Sequence, residues 1–154
     1  MLNLIFHMVF SFLSSISFAI ICNVPKKSIP MGGIVGMLGW MGYILLSTNG
    51  YGIFQASVVC SLLLAFAGQI AARMFKMPLT VFYVPGLVPI VPGISAFQAF
   101  RHLTMNDYDA AIMGFLNVGY CAIGIACGIV ISDILFNTFF GLYRFIKRDG
   151  KQKA

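Results

Sequence analysis

The chain has 154 residues, 60% hydrophobic and 9% charged, with ten Lys and Arg against four Asp and Glu for a net charge of +6. A soluble domain carries roughly 25% charged residues, and one this small leaves much of its surface in water. With a mean hydropathy of +0.94, the composition excludes a cytosolic enzyme, a disulfide scaffold and a disordered tail, and assigns the chain to a bilayer. The basic residues form small clusters between long uncharged runs rather than one basic face, so no nucleic-acid partner is expected.

A helix crossing the hydrocarbon needs about 20 apolar residues. Residues 1–25 carry no charge, predicting a first span over 2–22 that ends before Lys26 and Lys27. Residues 28–72 are again uncharged, long enough for two crossings. The turn-forming cluster Ser47-Thr-Asn-Gly-Tyr-Gly52 divides them into spans at 31–47 and 53–72. Arg73 and Lys76 close the third span. Residues 79–100 form a fourth uncharged run, followed by a polar loop with Arg101, His102, Asp107 and Asp109. A fifth span is expected over 110–132, and residues 133–154, aromatic and then basic, read as an interfacial or cytoplasmic tail, or as a helix extending against a partner. The expected fold is therefore a single all-α polytopic membrane domain over 1–154 with about five transmembrane helices, the fourth of them broken.

With the N-terminus outside and the C-terminus inside, Lys26, Lys27, Arg73, Lys76, Arg144, Lys147, Arg148, Lys151 and Lys153 face the cytoplasm, and Arg101 alone faces out. The first segment lacks a basic n-region and a small-residue cleavage site, so it reads as an uncleaved helix. Cys22, Cys60, Cys121 and Cys127 form no CxxC pair and the two His are far apart. No metal site, disulfide framework or cofactor is expected, and the cysteines read as small packing residues.

The fourth run holds the chemistry. Pro85, Pro89 and Pro92, with Gly86 and Gly93, lie in its interior, and each interior proline removes an amide donor at a cost of about 3 kcal/mol. Three within eight residues predict a broken helix. Such a break is tolerated in lipid only where protein or a water-filled cavity satisfies the freed backbone. Transporters use this geometry to aim a half-helix N-terminus at an anionic group. Ser95 and Gln98 match a capping box, S-x-x-Q, which would turn the amides of Ala96, Phe97 and Gln98 toward the break as a carboxylate site.

Other polar positions have two readings each. His7, Ser11, Ser14 and Ser15 share one face of the first span, which lines a pathway or serves as helix-packing glue. Gly32, Gly36 and Gly39, and the stripe Gly114, Asn117, Cys121, Gly124, Gly128, predict close helix contacts, with Asn117 as packing residue or substrate contact. Asp133 is a candidate for proton coupling, as an intramembrane acid is by default. The alternative is a carboxylate satisfied by water or Arg144 at the cytoplasmic end of the fifth span. Arg101 and His102 are interface anchors or attract anions at an external mouth.

Asn23-Val24-Pro25, the Gly-rich second span and above all Val88-Pro89-Ile90-Val91-Pro92-Gly93-Ile94-Ser95-Ala96-Phe97 resemble the small subunit of the threonine/serine exporter family. The resemblance implies a plasma-membrane protein that exports threonine and serine, or succinate, together with a larger membrane subunit resembling the N-terminal half of the fused exporters. With no paired acid, metal-ligand set or GxS nucleophile motif, an intramembrane enzyme is not expected. It carries Pro89, Pro92, Gly93 and Ser95 over as motif residues. Five spans are few for enclosing a site, so a partner or a homo-oligomer is expected on physical grounds too. Pro85–Gly93 is expected to act as a gate; the alternative function is a non-transporting subunit that assembles or stabilises a larger partner.

Overall fold

The structure, a computed structural model, describes residues 2–152, with side chains over residues 4–139. It is all-helical: α1 (Leu2–Ile21), α2 (Ile29–Thr48), α3 (Ile53–Phe75), α4 (Thr80–Leu87), α5 (Gly93–Thr104) and α6 (Tyr108–Gln152). Four helical stretches among the described residues are long and apolar enough to cross a membrane: Leu4–Ile21, Ile29–Thr48, Ile53–Phe75 and Tyr108–Phe139. The fourth uncharged run supplies two short helices instead, of 8 and 12 residues.

Local chemistry sets the helix ends. α1 stops at Asn23, left-handed at φ 53°, with Val24 N–H bonded to Ala19 C=O at 3.0 Å and Asn23 N–H to Ile20 C=O at 3.0 Å. That is a Schellman ending, and Pro25 follows because it cannot continue a helix. α3 has a related ending, with Lys76 left-handed, the N–H groups of Lys76 and Met77 both on Ala72 C=O, and Pro78 next. Gly50 (φ 82°) and Asn106 (φ 61°) serve the ends of α2 and α5. The Asn-Val-Pro signature is thus a helix stop. Pro30 enters the first turn of α2, where its missing donor is not needed.

Specific contacts order the helices. Trp40 meets His7 and Gly36 meets Ser15, so α2 runs antiparallel to α1. Gly39 lies on Leu64 and Gly42 on Cys60 and Leu63, so α3 is antiparallel to α2. α6 runs parallel to α3, with Cys121 against Ser57, Gly128 against Ser61 and Asp133 against Gln69. The buried core is Val35, Cys60, Leu64, Ala71, Phe82 and Ile90, contributed by α2, α3, α4 and the segment after it.

The two halves of the fourth run take different neighbours. α4 packs on α1, α2 and α3, whereas, among the described residues, α5 approaches α6 and no other helix. Glycines make these approaches close. A Cβ on Gly36 would strike Ser15 of α1 and come to 3.1 Å from Gly86 Cα of α4, and one on Gly128 would strike Ser61 and the Val58 carbonyl of α3. Gly32 is different, with nothing within 4 Å of its Cβ position, so the expected Gly32/Gly36 pair makes its contact through Gly36 and Gly39.

The last helix runs beyond the bounds expected of the fifth span. α6 does not end near 132; it continues unbroken to Gln152, and its apolar stretch runs to Phe139. No proline interrupts it. Asp133 does not mark a boundary either, because Gln69 and Tyr83 satisfy its carboxylate laterally. Asp133 is therefore inside the apolar stretch rather than at its end.

Gly36→Ala should destabilise the detergent-solubilised protein by about 1–3 kcal/mol, the range for overpacking a tight contact, seen as a lower midpoint in a thermal size-exclusion assay. Gly32→Ala should be neutral or stabilising by up to about 1 kcal/mol, the helix-propensity gain of alanine over glycine.

Candidate functional site

The helix breaks after Leu87, not at Pro85. Pro85 stays inside α4 and is buried there, and Gly86 packs between Leu64, Val35 and Gly36. Both are contact residues of α4 rather than part of the opening. Over Val88–Pro92 the backbone tightens: Val88 N–H reaches Pro85 C=O at 3.4 Å, Ile90 N–H reaches Leu87 C=O at 2.9 Å, and Gly93 N–H reaches Val91 C=O at 2.8 Å. Pro89 and Pro92 donate nothing. Two contacts anchor the segment. The Ile90 side chain is buried in the core against Gly39. The Ile90 carbonyl accepts from the Cys121 thiol at 3.9 Å, while Ser57 Oγ–H donates to Cys121 Sγ at 3.3 Å. Cys121 thus supplies a donor to backbone that the prolines leave short, which is more than the packing role its composition suggested.

α5 starts earlier than the capping-box reading expects. Its N-cap is Pro92, without a side-chain cap bond, because a proline's fixed φ suits the entry to a helix. Ser95 is the third residue of the helix and caps nothing. Gln98 is exposed one turn further on, and Gly93 is the first helical residue, with open space about it. Ala96 N–H is taken by Pro92 C=O at 2.9 Å, and the amides of Phe97 and Gln98 lie within the helix. The first-turn amides left over are those of Ile94 and Ser95, so the anion-facing end is displaced toward the break.

That end opens on a cavity of about 240 Å³ lined by Pro89, Pro92, Ile94 and Ser95 of the break, Asn117 and Cys121 of α6, and Trp40 and Tyr43 of α2. Trp40 and Tyr43 stack with ring centroids 5.4 Å apart at 16°, one turn apart on α2. A second groove of about 280 Å³ shares Trp40 and Pro89 and is otherwise walled by His7, Ser11, Ser14, Phe6 and Phe10 of α1. The Trp40 indole N–H donates to His7 Nδ1 at 3.4 Å. Ser15 leaves that face: it is buried against Gly36, and its hydroxyl has no hydrogen-bond partner among the described residues.

Pro89, Pro92, Ser95 and Asn117 therefore converge on one cavity, and His7 adjoins it. Pro85, Gly86, Gly93 and Gln98 do not line it. Asp133 lies 16 residues beyond Asn117 on α6, about 24 Å along the axis at 1.5 Å per residue. There its Oδ1 accepts from Gln69 Nε2 at 2.6 Å and from Tyr83 OH at 3.2 Å. The residue pattern overlooked Trp40, Tyr43, Gln69 and Tyr83. The first two were detectable as an aromatic pair at i, i+3 in a span otherwise rich in glycine. Gln69 stands as a long polar side chain in an apolar helix.

Apolar helices of spanning length beside a run broken by prolines, with a small polar-edged cavity at the break, are the features of an all-α multi-pass membrane protein. The family model described as Threonine/Serine exporter, ThrE, matches residues 7–135, and the chain belongs to that family of membrane-bound exporters. A protein of uncharacterised function from Haemophilus influenzae is 25% identical over 144 residues, covering 88% of this chain and 48% of that protein. The chain spans about half the length of this relative. No solved structure matches it.

Cys121→Ala should destabilise the protein by about 1–3 kcal/mol, the penalty for orphaning a buried acceptor, and Cys121→Ser should recover part of that loss. Thermal midpoints of the two variants against wild type check this.

Proposed function

We propose that the chain is the small subunit of an exporter of small carboxylate-bearing metabolites, threonine or serine or a dicarboxylate such as succinate, working with a larger membrane subunit in the plasma membrane. The observation that carries this reading is the convergence of Ile94 and Ser95, first-turn residues whose amides have no acceptor among the described residues, with Asn117 at one cavity beside the break. Free amides at a helix start attract a carboxylate. The stacked Trp40–Tyr43 wall offers a π-face to an ammonium or to an aliphatic part. At about 240 Å³ the space is below the roughly 300–1,000 Å³ of sites for drug-sized ligands, as a small metabolite requires. Pro89 and Pro92 would act as the gate by keeping the segment from closing into a continuous helix.

The five-crossing topology belongs to this proposal: α1, α2 and α3, then α4 with α5 as one interrupted crossing, then α6, N-terminus out and C-terminus in. The alternation of helix directions supports it, because it brings Lys26, Lys27, Arg73 and Lys76 to one end of the bundle, the cytoplasmic end by the positive-inside rule.

A specific observation favours the second reading, an assembly subunit that does not itself transport. Among the described residues α5 leans on α6 alone and leaves Ile94, Phe97 and Phe100 exposed, a surface that suits a partner helix as well as lipid. A homo-oligomer would cover the same surface.

Cells preloaded with labelled threonine, serine and succinate distinguish these readings when they carry this chain, its presumed large partner, or both. Efflux is expected only with both, and Pro89→Ala/Pro92→Ala should abolish most of it at unchanged membrane levels. Full efflux by a correctly inserted double variant would sink the gate assignment, and loss of partner protein rather than turnover would favour the assembly role. The chain's single tryptophan, Trp40, lines the cavity, so substrate added to the purified two-subunit assembly should change its emission. The change should be saturable and absent in Trp40→Phe.

A further inference from the structure

We propose that Asp133, held by Gln69 and Tyr83, is the proton-binding site that drives the export cycle, its charge setting how strongly α4 is tied to α6. This rests on the transporter reading above and names the coupling of that same machinery.

Asp133 is half-buried within the apolar stretch of α6. A carboxylate at such a depth persists only with donors around it, and Gln69 Nε2 at 2.6 Å and Tyr83 OH at 3.2 Å are those donors. Around it, α3 contributes Gln69 and also Arg73, whose guanidinium lies 4.5 Å over the ring of Phe136, one turn beyond Asp133 on α6. α4 contributes Tyr83.

Tyr83 is what makes this cluster more than a satisfied buried acid. Its hydroxyl is 3.2 Å from Asp133 Oδ1 and 3.1 Å from the Ala65 carbonyl, yet it has one proton to give. With Asp133 ionised, that proton goes to the carboxylate. When Asp133 takes up a proton, the new carboxylic O–H donates to Tyr83 Oη and the tyrosine proton turns to Ala65. Every group keeps a partner in both states, so the site holds the acid or its anion without an orphaned polar atom.

The two states differ in what they hold together. Among the described residues the α4 and α6 backbones do not pack on one another, so α4 reaches α6 here through a side chain, the Tyr83–Asp133 bond. α5, on the far side of the break, is packed on α6 directly. A hydrogen bond to a charged acceptor is roughly twice as strong as its neutral counterpart. Protonation therefore weakens the tie of α4 to α6 and turns Tyr83 toward α3, and the Val88–Pro92 segment takes up the displacement. The balance is one proton: water outside gives it to the carboxylate, and the acid returns it to cytoplasmic water as the substrate leaves the cell. No other bond is made or broken.

The test uses inside-out vesicles carrying the full chain with its larger subunit, in which export is read as uptake. Substrate counterflow, which needs no proton turnover, is compared with uptake driven by an imposed pH gradient. Asp133→Asn should retain counterflow and lose the gradient-driven component, and Asp133→Glu should restore part of it. Infrared difference spectra of the purified assembly between acid and alkaline pH should contain a carboxylic C=O band that is missing in Asp133→Asn and shifted in frequency in Tyr83→Phe. Gradient-driven uptake by Asp133→Asn would overturn the proposal. So would a Tyr83→Phe protein, the variant less exposed to misfolding, with both its band and its gradient response unaltered. Absence of counterflow in wild-type vesicles is a distinct pattern, which overturns the transporter reading and this inference with it.

Discussion

Inside a bilayer no water is available to satisfy a backbone amide or carbonyl, and this constraint organises the molecule around the five residues Val88–Pro92. Two of them are prolines with no N–H to give, so an uninterrupted ladder is impossible there. The segment is tolerated because it is held by protein. Its own tight turns use the amides of Ile90, Val91 and Gly93, the Cys121 thiol serves the Ile90 carbonyl, and the Ile90 side chain is fixed in the core. The glycines of α2 belong to the same solution. Gly36 and Gly39 let α4 and Ile90 approach the α2 backbone closely enough for that anchoring, so the Gly-rich span and the Pro-rich run are two sides of one contact.

What was legible in the residue order followed from local rules. Uncharged runs of spanning length located α1, α2 and α3, and the density of proline located the break, because both effects act along the chain. The limits of the break were less legible. Pro85 was counted with Pro89 and Pro92, yet it remains in α4, where neighbours from α2 and α3 pack the distorted turn. The helix start was misplaced for a related reason: S-x-x-Q is a local signature, but Pro92 upstream offered an entry with φ already set, and the helix began there. That the last helix continues past Asp133 was not legible, because a carboxylate counts as a boundary only when nothing beside it can donate. Gln69 and Tyr83 come from 64 and 50 residues away, and no spacing rule joins them to Asp133.

The candidate site was legible in the same uneven way. Pro89, Pro92, Ser95 and Asn117 were singled out for separate reasons, backbone breakage for the two prolines, a capping box for Ser95 and a glycine stripe for Asn117. Their convergence depends on the α5–α6 hairpin, where Ala99 sits on Gly114 and Phe100 meets Phe115 edge to face at 5.0 Å. Trp40 and Tyr43 arrive from α2, whose register against the break is set by Gly39 rather than by any feature of the aromatic residues themselves.

The division of the fourth run between neighbours has a mechanical consequence. A continuous helix would move as one rod, and a change at one end would reach the other undiminished. Here α4 belongs to the body formed with α1, α2 and α3, and α5 belongs to α6. The joint between them forms one wall of the cavity, so displacement of one group of helices against the other must reshape that wall. The α3–α6 contact resists such a displacement, because Gly124 and Gly128 set α6 directly on the α3 backbone. Motion of α4 past α6 is less restrained, since side chains rather than backbones connect those two. Flexibility is thus concentrated where the prolines are, and the close glycine contacts keep it there.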